Sequence, residues 1–361
     1  MEFGVFMLAQ QRSYDQSSHE IVNNTVEQTI VAEQAGFDMA WYPEHHFNNY
    51  ALSPSPLMMC AHAAGRTSTI RLGTAVCILP LYQPARFLAE VGLVDTLSNG
   101  RLELGIGSGY QQFEFERFGT HLSVAAETVA EYMDVIPQAL TQKYFEYHGN
   151  IIDIPLSSLN VQCVQDPMPP LWVTTNNPQL RARAMREGYN QFVTAMLNGK
   201  DAIRELRGKM VEAGELAGID VDQTKFGFLR CGYASDNNAE IEHYLDCARF
   251  ARRLSESLRD RRQETDDGYL MQEVPLKKEL SMDEMRANLP VGSVNQVIDR
   301  MLAEIEILKP GHIALQTQLG DFDQKTMLKQ IELWGDKIIP AIKKALGSSE
   351  PAKAEATLAT A

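Results

Sequence analysis

Apolar, β-branched runs and stretches of helical period alternate along this chain from its start to about residue 340, and few folds accept that alternation. Residues 1–8 read as a buried strand. Ser17 and Glu20 have the spacing of a capping box, Val22, Val26 and Ile30 come after it at helical intervals, and Gly36 marks a stop. Residues 37–41 form a second strand, 53–65 a helix opened by Ser53-Pro54-Ser55-Pro56, and 70–80 a third strand stopped by its proline. A helix over 84–98, a strand over 101–106 and a helix over about 121–142 come next. Strands at 171–174, 190–195 and 225–234 then alternate with helices at 178–187, 200–217 and 238–256. A helix from Val294 to Ile305, an eighth strand at 312–316 and a helix spanning Met327 to Ile338 complete the series. Eight strands separated by helices predict a parallel sheet, and at this length the expected closure is an α/β TIM-type (β/α)8 barrel, with a doubly wound sheet as the alternative.

Two stretches break the rhythm. Residues 143–170 read as an inserted hairpin and loop before the fifth strand. Residues 257–291 are charged and without sustained period, as in a mobile lid after the seventh helix. No linker divides the chain, so residues 1–346 are expected to form one domain, with a disordered tail over 347–361. A net charge of -14 argues against a nucleic-acid partner. The five cysteines lack paired spacing and read as reduced thiols. With no basic leader and no apolar run of membrane-spanning length, the expectation is a soluble, cytoplasmic protein.

Three stretches carry candidate chemistry. The second strand runs into Glu44-His45-His46-Phe47. Successive side chains of an extended segment point to opposite sides, so at most one of the two histidines faces a central pocket. Their spacing is not that of a helical zinc pair and no third ligand stands out, so the reading assigns no metal and takes a proton-handling histidine as the better fit, with Glu44 and Glu114 as available carboxylates. Gly105-Ile106-Gly107-Ser108-Gly109-Tyr110 lacks the third glycine of a dinucleotide fingerprint; it reads either as a tight turn or as a place where backbone approaches a flat ligand. Asn177-Pro178 reads as an N-cap and first helical position, and a helix N-terminus favours phosphate.

Taken together and in order, Glu2-Phe3-Gly4-Val5-Phe6, Trp41 to Phe47, Arg71-Leu72-Gly73-Thr74-Ala75, Leu79-Pro80, Pro84-Ala85-Arg86, Ser98-Asn99-Gly100-Arg101-Leu102 and Gly105-Ile106-Gly107 resemble the bacterial-luciferase-like family. The resemblance runs over 1 to about 190 and more weakly over about 290–345. It implies a two-component monooxygenase that takes FMN as FMNH2 from a separate flavin reductase and reacts it with O2 to a C4a-peroxyflavin, which oxygenates a small-molecule substrate. It implies His45 and Glu114 as catalytic, the latter an acidic group near the flavin, and Ala75 and Val76, joined by a cis peptide under the ring, with Gly107, Ser108, Gly109, Tyr110, Asn176 and Asn177 as cofactor-binding positions. A homodimer, or a heterodimer with a related chain, is also implied. The alternatives are an F420-dependent oxidoreductase of the same fold and a non-catalytic flavin-binding partner subunit. Ser108 and Ala126 stand where luciferase has phosphate-binding arginines, and Leu180 replaces a threonine, so the helix N-terminus at Asn177-Pro178, with Arg181 or Arg183, is expected to take over the phosphate. Gly107 stands at luciferase's reactive-cysteine position, which argues against light emission.

Overall fold

The structure, a computed structural model, describes residues 1–347; the tail expected over 347–361 lies almost wholly outside the described residues. Eight parallel strands close a barrel: β1 (Glu2–Phe6), β2 (Met39–Tyr42), β3 (Arg71–Thr74), β4 (Leu102–Gly107), β5 (Leu171–Thr174), β6 (Asn190–Thr194), β7 (Phe226–Cys231) and β8 (His312–Gln316). Each pairs with the next, and β8 closes on β1 with Glu2 opposite His312. The main helices are α1 (Ser18–Gln34), α2 (Pro56–Ala64), α3 (Pro84–Leu97), α4 (Ala125–Thr141), α5 (Pro178–Arg186), α6 (Lys200–Ala217), α7 (Asn238–Asp260), α8 (Val294–Leu308) and α9 (Gln324–Leu333). Among the described residues no helix is long and apolar enough to cross a membrane.

Local chemistry sets most boundaries. Ser17 accepts from the Glu20 amide and so starts α1, although the reciprocal half of the box forms instead at Ser281/Glu284 and at Ser293/Gln296. Ser55, Gln83 and Asn177 cap helices that each open on proline. Residues 143–170 contain the hairpin Phe145–His148/Asp153–Ser157.

Three expectations need correction. The third strand is not continuous: a cis peptide at Ala75-Val76 separates β3 from the two-residue strand Cys77–Ile78. The seventh strand ends at Cys231, and Tyr233–Ala234 pairs instead with Val291–Gly292. Helix α7 runs four residues past the expected end, because the apolar stripe of Phe250 and Leu254 continues to Leu258 without a breaker and packs against Phe113 and Leu270. The segment between α7 and α8 contains a hairpin (Thr265–Asp266/Tyr269–Leu270) and a helix (Met282–Asn288). Tyr269 stacks on Tyr14 with ring centroids 3.9 Å apart, and Arg253 bonds Glu279 at 2.6 Å.

The lower barrel is filled by Trp41, Trp172 and Phe192, with ring centroids 4.8 to 5.2 Å apart and Trp41 edge-on to the other two. Gly73 makes room for this cluster: a Cβ there would lie 2.2 Å from Trp41 Cε3. His312 lies in the same layer, its Nε2 accepting from Trp41 Nε1 at 2.8 Å while Nδ1 is buried without a partner among the described residues. Burial, with Lys225 adding to it, pushes the ring from 6.5 down to about 3. The folded ring therefore stays neutral where the unfolded one binds a proton. Its contribution is full above pH 6.5 and is lost towards about 3, at about 1.4 kcal/mol per pH unit. His312→Gln, which keeps an acceptor for Trp41, should flatten that acid loss in urea midpoints compared at pH 7.5 and 5.0; equal losses in both proteins would exclude His312 as its source.

Candidate active site

All eight strands deliver their C-terminal ends to one cavity of about 510 Å³, within the range of small-molecule sites. Phe6 comes from β1, Pro43 to His45 from the β2 loop, Ala75 and Val76 from β3, Gly107 to Tyr110 from β4, and Thr174 to Asn176 from β5. Thr194, Met196, Leu197, Cys231 and Gln316 complete the ring. This is the face where barrel enzymes place their chemistry, because loops there vary without disturbing the closed sheet.

The two histidines are used differently. His45 is nearly buried, lines the cavity and places Nδ1 2.9 Å from Glu114 Oε1. The same oxygen accepts from the His46 amide at 2.8 Å and lies 3.3 Å from Asn48 Nδ2. With Nδ1 donating to the carboxylate, Nε2 is left as an acceptor without a protein partner among the described residues. Tyr50 packs edge-on against the ring at 4.8 Å, and Tyr110 at 5.9 Å. His46 turns away from the cavity, and its Nε2 meets Glu44 Oε1 at 2.7 Å. Glu44 also accepts from the Ile78 amide and the Tyr82 hydroxyl, and burial raises its carboxyl above the usual range.

Glu114 is fully buried behind His45, bonded to its ring, and does not line the cavity; its Oε2 has no partner among the described residues. Ala75, Val76, Gly107, Ser108, Gly109, Tyr110 and Asn176 all lie on the wall. Gly107 lets β4 close onto the Ala75-Val76 segment, since a Cβ would come within 2.6 Å of Val76 Cγ2. Asn177 is not on the wall. Its side-chain oxygen accepts from the Gln179 and Leu180 amides, and Pro178 has no N–H, so this helix terminus keeps few donors for an anion.

The cations of the wall were only partly foreseeable from the sequence. Arg181 lines the cavity, while Arg183 faces outward to Asp134 and Glu187. Arg181 donates to the Thr175 carbonyl at 2.6 Å and has no carboxylate within 4 Å among the described residues; desolvation alone lowers its pKa. Arg252, Ser255 and Arg259 also reach the wall, from α7. Their spacing of three and four marked one helical stripe, but nothing local showed which way it faced. Among the described residues no metal grouping involves His45 or His46. None of His243, Cys247 and Asp321, which form a grouping of their own, lines the cavity, and Arg12 lies 3.4 Å from the Cys247 sulfur.

Residues 1–308 match the family described as luciferase-like monooxygenase. The chain belongs to that family. It is 57% identical to an uncharacterized protein, y4vJ, of Sinorhizobium fredii, over 97% of this chain and all of that one. It is 26% identical to the oxygenase component of the flavin-dependent trigonelline monooxygenase of Acinetobacter baylyi, over 84% of this chain and 85% of that one. Among solved folds it is similar to the oxygenating constituent of 3,6-diketocamphane monooxygenase of Pseudomonas putida, in complex with FMN (TM-score 0.75, 18% identity, 95% and 99% covered). An F420-dependent secondary alcohol dehydrogenase is similar as well (TM-score 0.71, 17% identity, 94% and 98% covered). As a luciferase-like family member the chain is an oxidoreductase of the monooxygenase kind.

Proposed function

We propose that this luciferase-like protein is the oxygenase component of a two-component system, binding FMN in its reduced form from a separate reductase and using O2 to oxygenate a small organic substrate. The observation that carries the reading is Arg181, a half-buried guanidinium without an acidic partner among the described residues, on the wall of a largely apolar cavity. An uncompensated cation there is costly unless an anionic ligand completes it. A flat, apolar ring system ending in a phosphate fits this wall: Val76, Ile78 and Gly107 offer an apolar bed, Ser108 and Asn176 offer polar groups on the same wall, and Thr175 lies against Arg181.

When bound, reduced flavin supplies the electrons that activate O2. The chain's residues do the rest. His45 Nε2 is placed to take or return a proton, with Glu114 fixing its tautomer and direction. Leu8, Phe192, Leu197 and Leu229 keep the chamber apolar, which limits water. Glu44 and His46 tie the histidine loop to the Cys77–Ile78 strand.

Equilibrium titration separates the cofactor readings. FMN and FMNH2 should bind, riboflavin more weakly, and Arg181→Gln should weaken FMN by roughly tenfold or more while leaving riboflavin nearly unchanged, as expected for loss of one charge-assisted contact. Mixing the FMNH2-loaded protein with aerated buffer should give a long-lived absorbing species before oxidised FMN reappears. Failure to bind FMNH2 with tight binding of F420H2 would replace this reading by the deazaflavin one.

A further inference from the structure

Across the whole chain acidic residues outnumber basic ones, 47 to 33. The cavity wall reverses that balance: among the described residues three arginines, Arg181, Arg252 and Arg259, face one carboxylate, Glu44. Glu44 is already engaged by His46, the Ile78 amide and the Tyr82 hydroxyl. A wall that is positive in a strongly acidic protein concentrates anions where the rest of the surface repels them. Arg181 on α5 answers one anionic group, leaving the pair on α7 without a task.

Arg252, Ser255 and Arg259 stand at i, i+3 and i+7, one stripe of α7 turned into the cavity. Glu256 bridges the two guanidiniums from the flank, its oxygens 2.6 Å from Arg252 and 2.5 Å from Arg259, and Asp260 lies 2.8 Å from Arg259. Neither carboxylate reaches the wall, so cations face inward and their counter-charges face away. The stripe is also close to the histidine: Ser255 Oγ lies 3.2 Å from the Tyr110 hydroxyl, and the Tyr110 ring packs against His45. Both arginine side chains keep more than a third of their surface exposed. Each guanidinium has five N–H donors, of which Glu256 and Asp260 engage only some, and the remainder suit a ligand that enters and leaves at each turnover. A guanidinium fork matches a carboxylate in two parallel bonds.

The geometry points to Arg252 and Arg259, with Ser255, as the site that holds a carboxylate of the substrate beside His45; the oxygenated compound is an organic acid. This rests on the flavin reading above, since it presumes that Arg181 serves the cofactor.

Calorimetric titration of the FMN-loaded protein with two matched pairs, benzoate against benzamide and octanoate against octanamide, tests it. The acid of at least one pair should bind tenfold or more tighter than its amide. Combining Arg252→Gln with Arg259→Gln should reduce that preference to less than threefold while FMN affinity stays as in wild type. Glu256→Gln, which removes the competing carboxylate and keeps both arginines, should widen the preference. The proposal is overturned if neither pair favours the acid, if the preference survives in the double variant, or if Glu256→Gln narrows it. It is equally overturned if the double variant weakens FMN but not riboflavin, because the pair would then hold the cofactor's phosphate. A wild type that takes up no flavin overturns the underlying reading instead, and the acid preference of the flavin-free protein still decides the arginine stripe.

Discussion

His45→Ala should change the rate constant for reoxidation of protein-bound FMNH2 by about 10²-fold or more, the usual scale for a positioned proton-transfer group. His46→Ala should change it by less than about tenfold, as for a residue that supports the loop without reaching the cavity. The adjacent imidazoles differ because they leave the loop after β2 in different directions. His45 lines the cavity with Nε2 unpartnered among the described residues, whereas His46 bonds Glu44 at 2.7 Å, on the side of Ile78 and Tyr82. Stopped-flow absorbance after mixing with O2 measures both variants, and small equal effects would remove His45 from the mechanism. Glu114→Gln belongs in the same experiment. The amide oxygen still accepts from the His46 amide, but the charge behind the ring is gone. A shifted pH profile with unchanged FMN affinity is therefore the expected signature of a positioning role.

Arg230→Met should cost about 3–5 kcal/mol of stability, the largest loss expected from a single change outside the cavity. Arg230 is fully buried and Glu304 nearly so. The guanidinium meets both Glu304 oxygens at 2.6 and 2.8 Å and donates to the carbonyls of Met196, Asn198 and Asn288. One side chain thus joins β7, the loop after β6, the Met282–Asn288 helix and α8. Burial holds the Glu304 carboxyl above its ordinary range even with Arg230 opposing it, so removing the cation leaves a buried carboxyl with only the more distant charges of Lys200 and Arg300 to oppose that burial. Replacing both residues, Arg230→Met with Glu304→Leu, should recover much of the loss, because an apolar pair avoids the desolvation cost altogether. Urea midpoints for the three proteins decide it, and a single variant within about 1 kcal/mol of wild type contradicts the assignment. Met196 itself lines the cavity, so the single variant should also weaken flavin binding.

Much of the scaffold was legible in the chain. Strand and helix periods, Ser17 and Asn177 as caps, and the hairpin within 143–170 depend on neighbours a few residues apart, and the structure contains them. The cavity was legible only near strand ends. Ala75, Val76 and Gly107 to Tyr110 stand on its wall because a barrel strand's C-terminal end has nowhere else to go. Asn177 lies off the wall because its side chain caps α5, and Glu114 lies behind the histidine loop, bonded to His45 rather than lining the cavity.

The sequence by itself determined the eightfold alternation, the parallel sheet it predicts and the unequal orientation of His45 and His46, all consequences of short-range periodicity. Tertiary structure alone decided which charges meet. Glu114 is 69 residues from His45 and Ser255 is 145 from Tyr110, yet each pair touches. The face that α7 turns to the cavity depends on where Phe250, Leu254 and Leu258 are buried, against Phe113 and Leu270. Barrel closure brings together residues whose separation along the chain carries no trace of their contact, and that is why the three arginines of the wall emerge only in three dimensions.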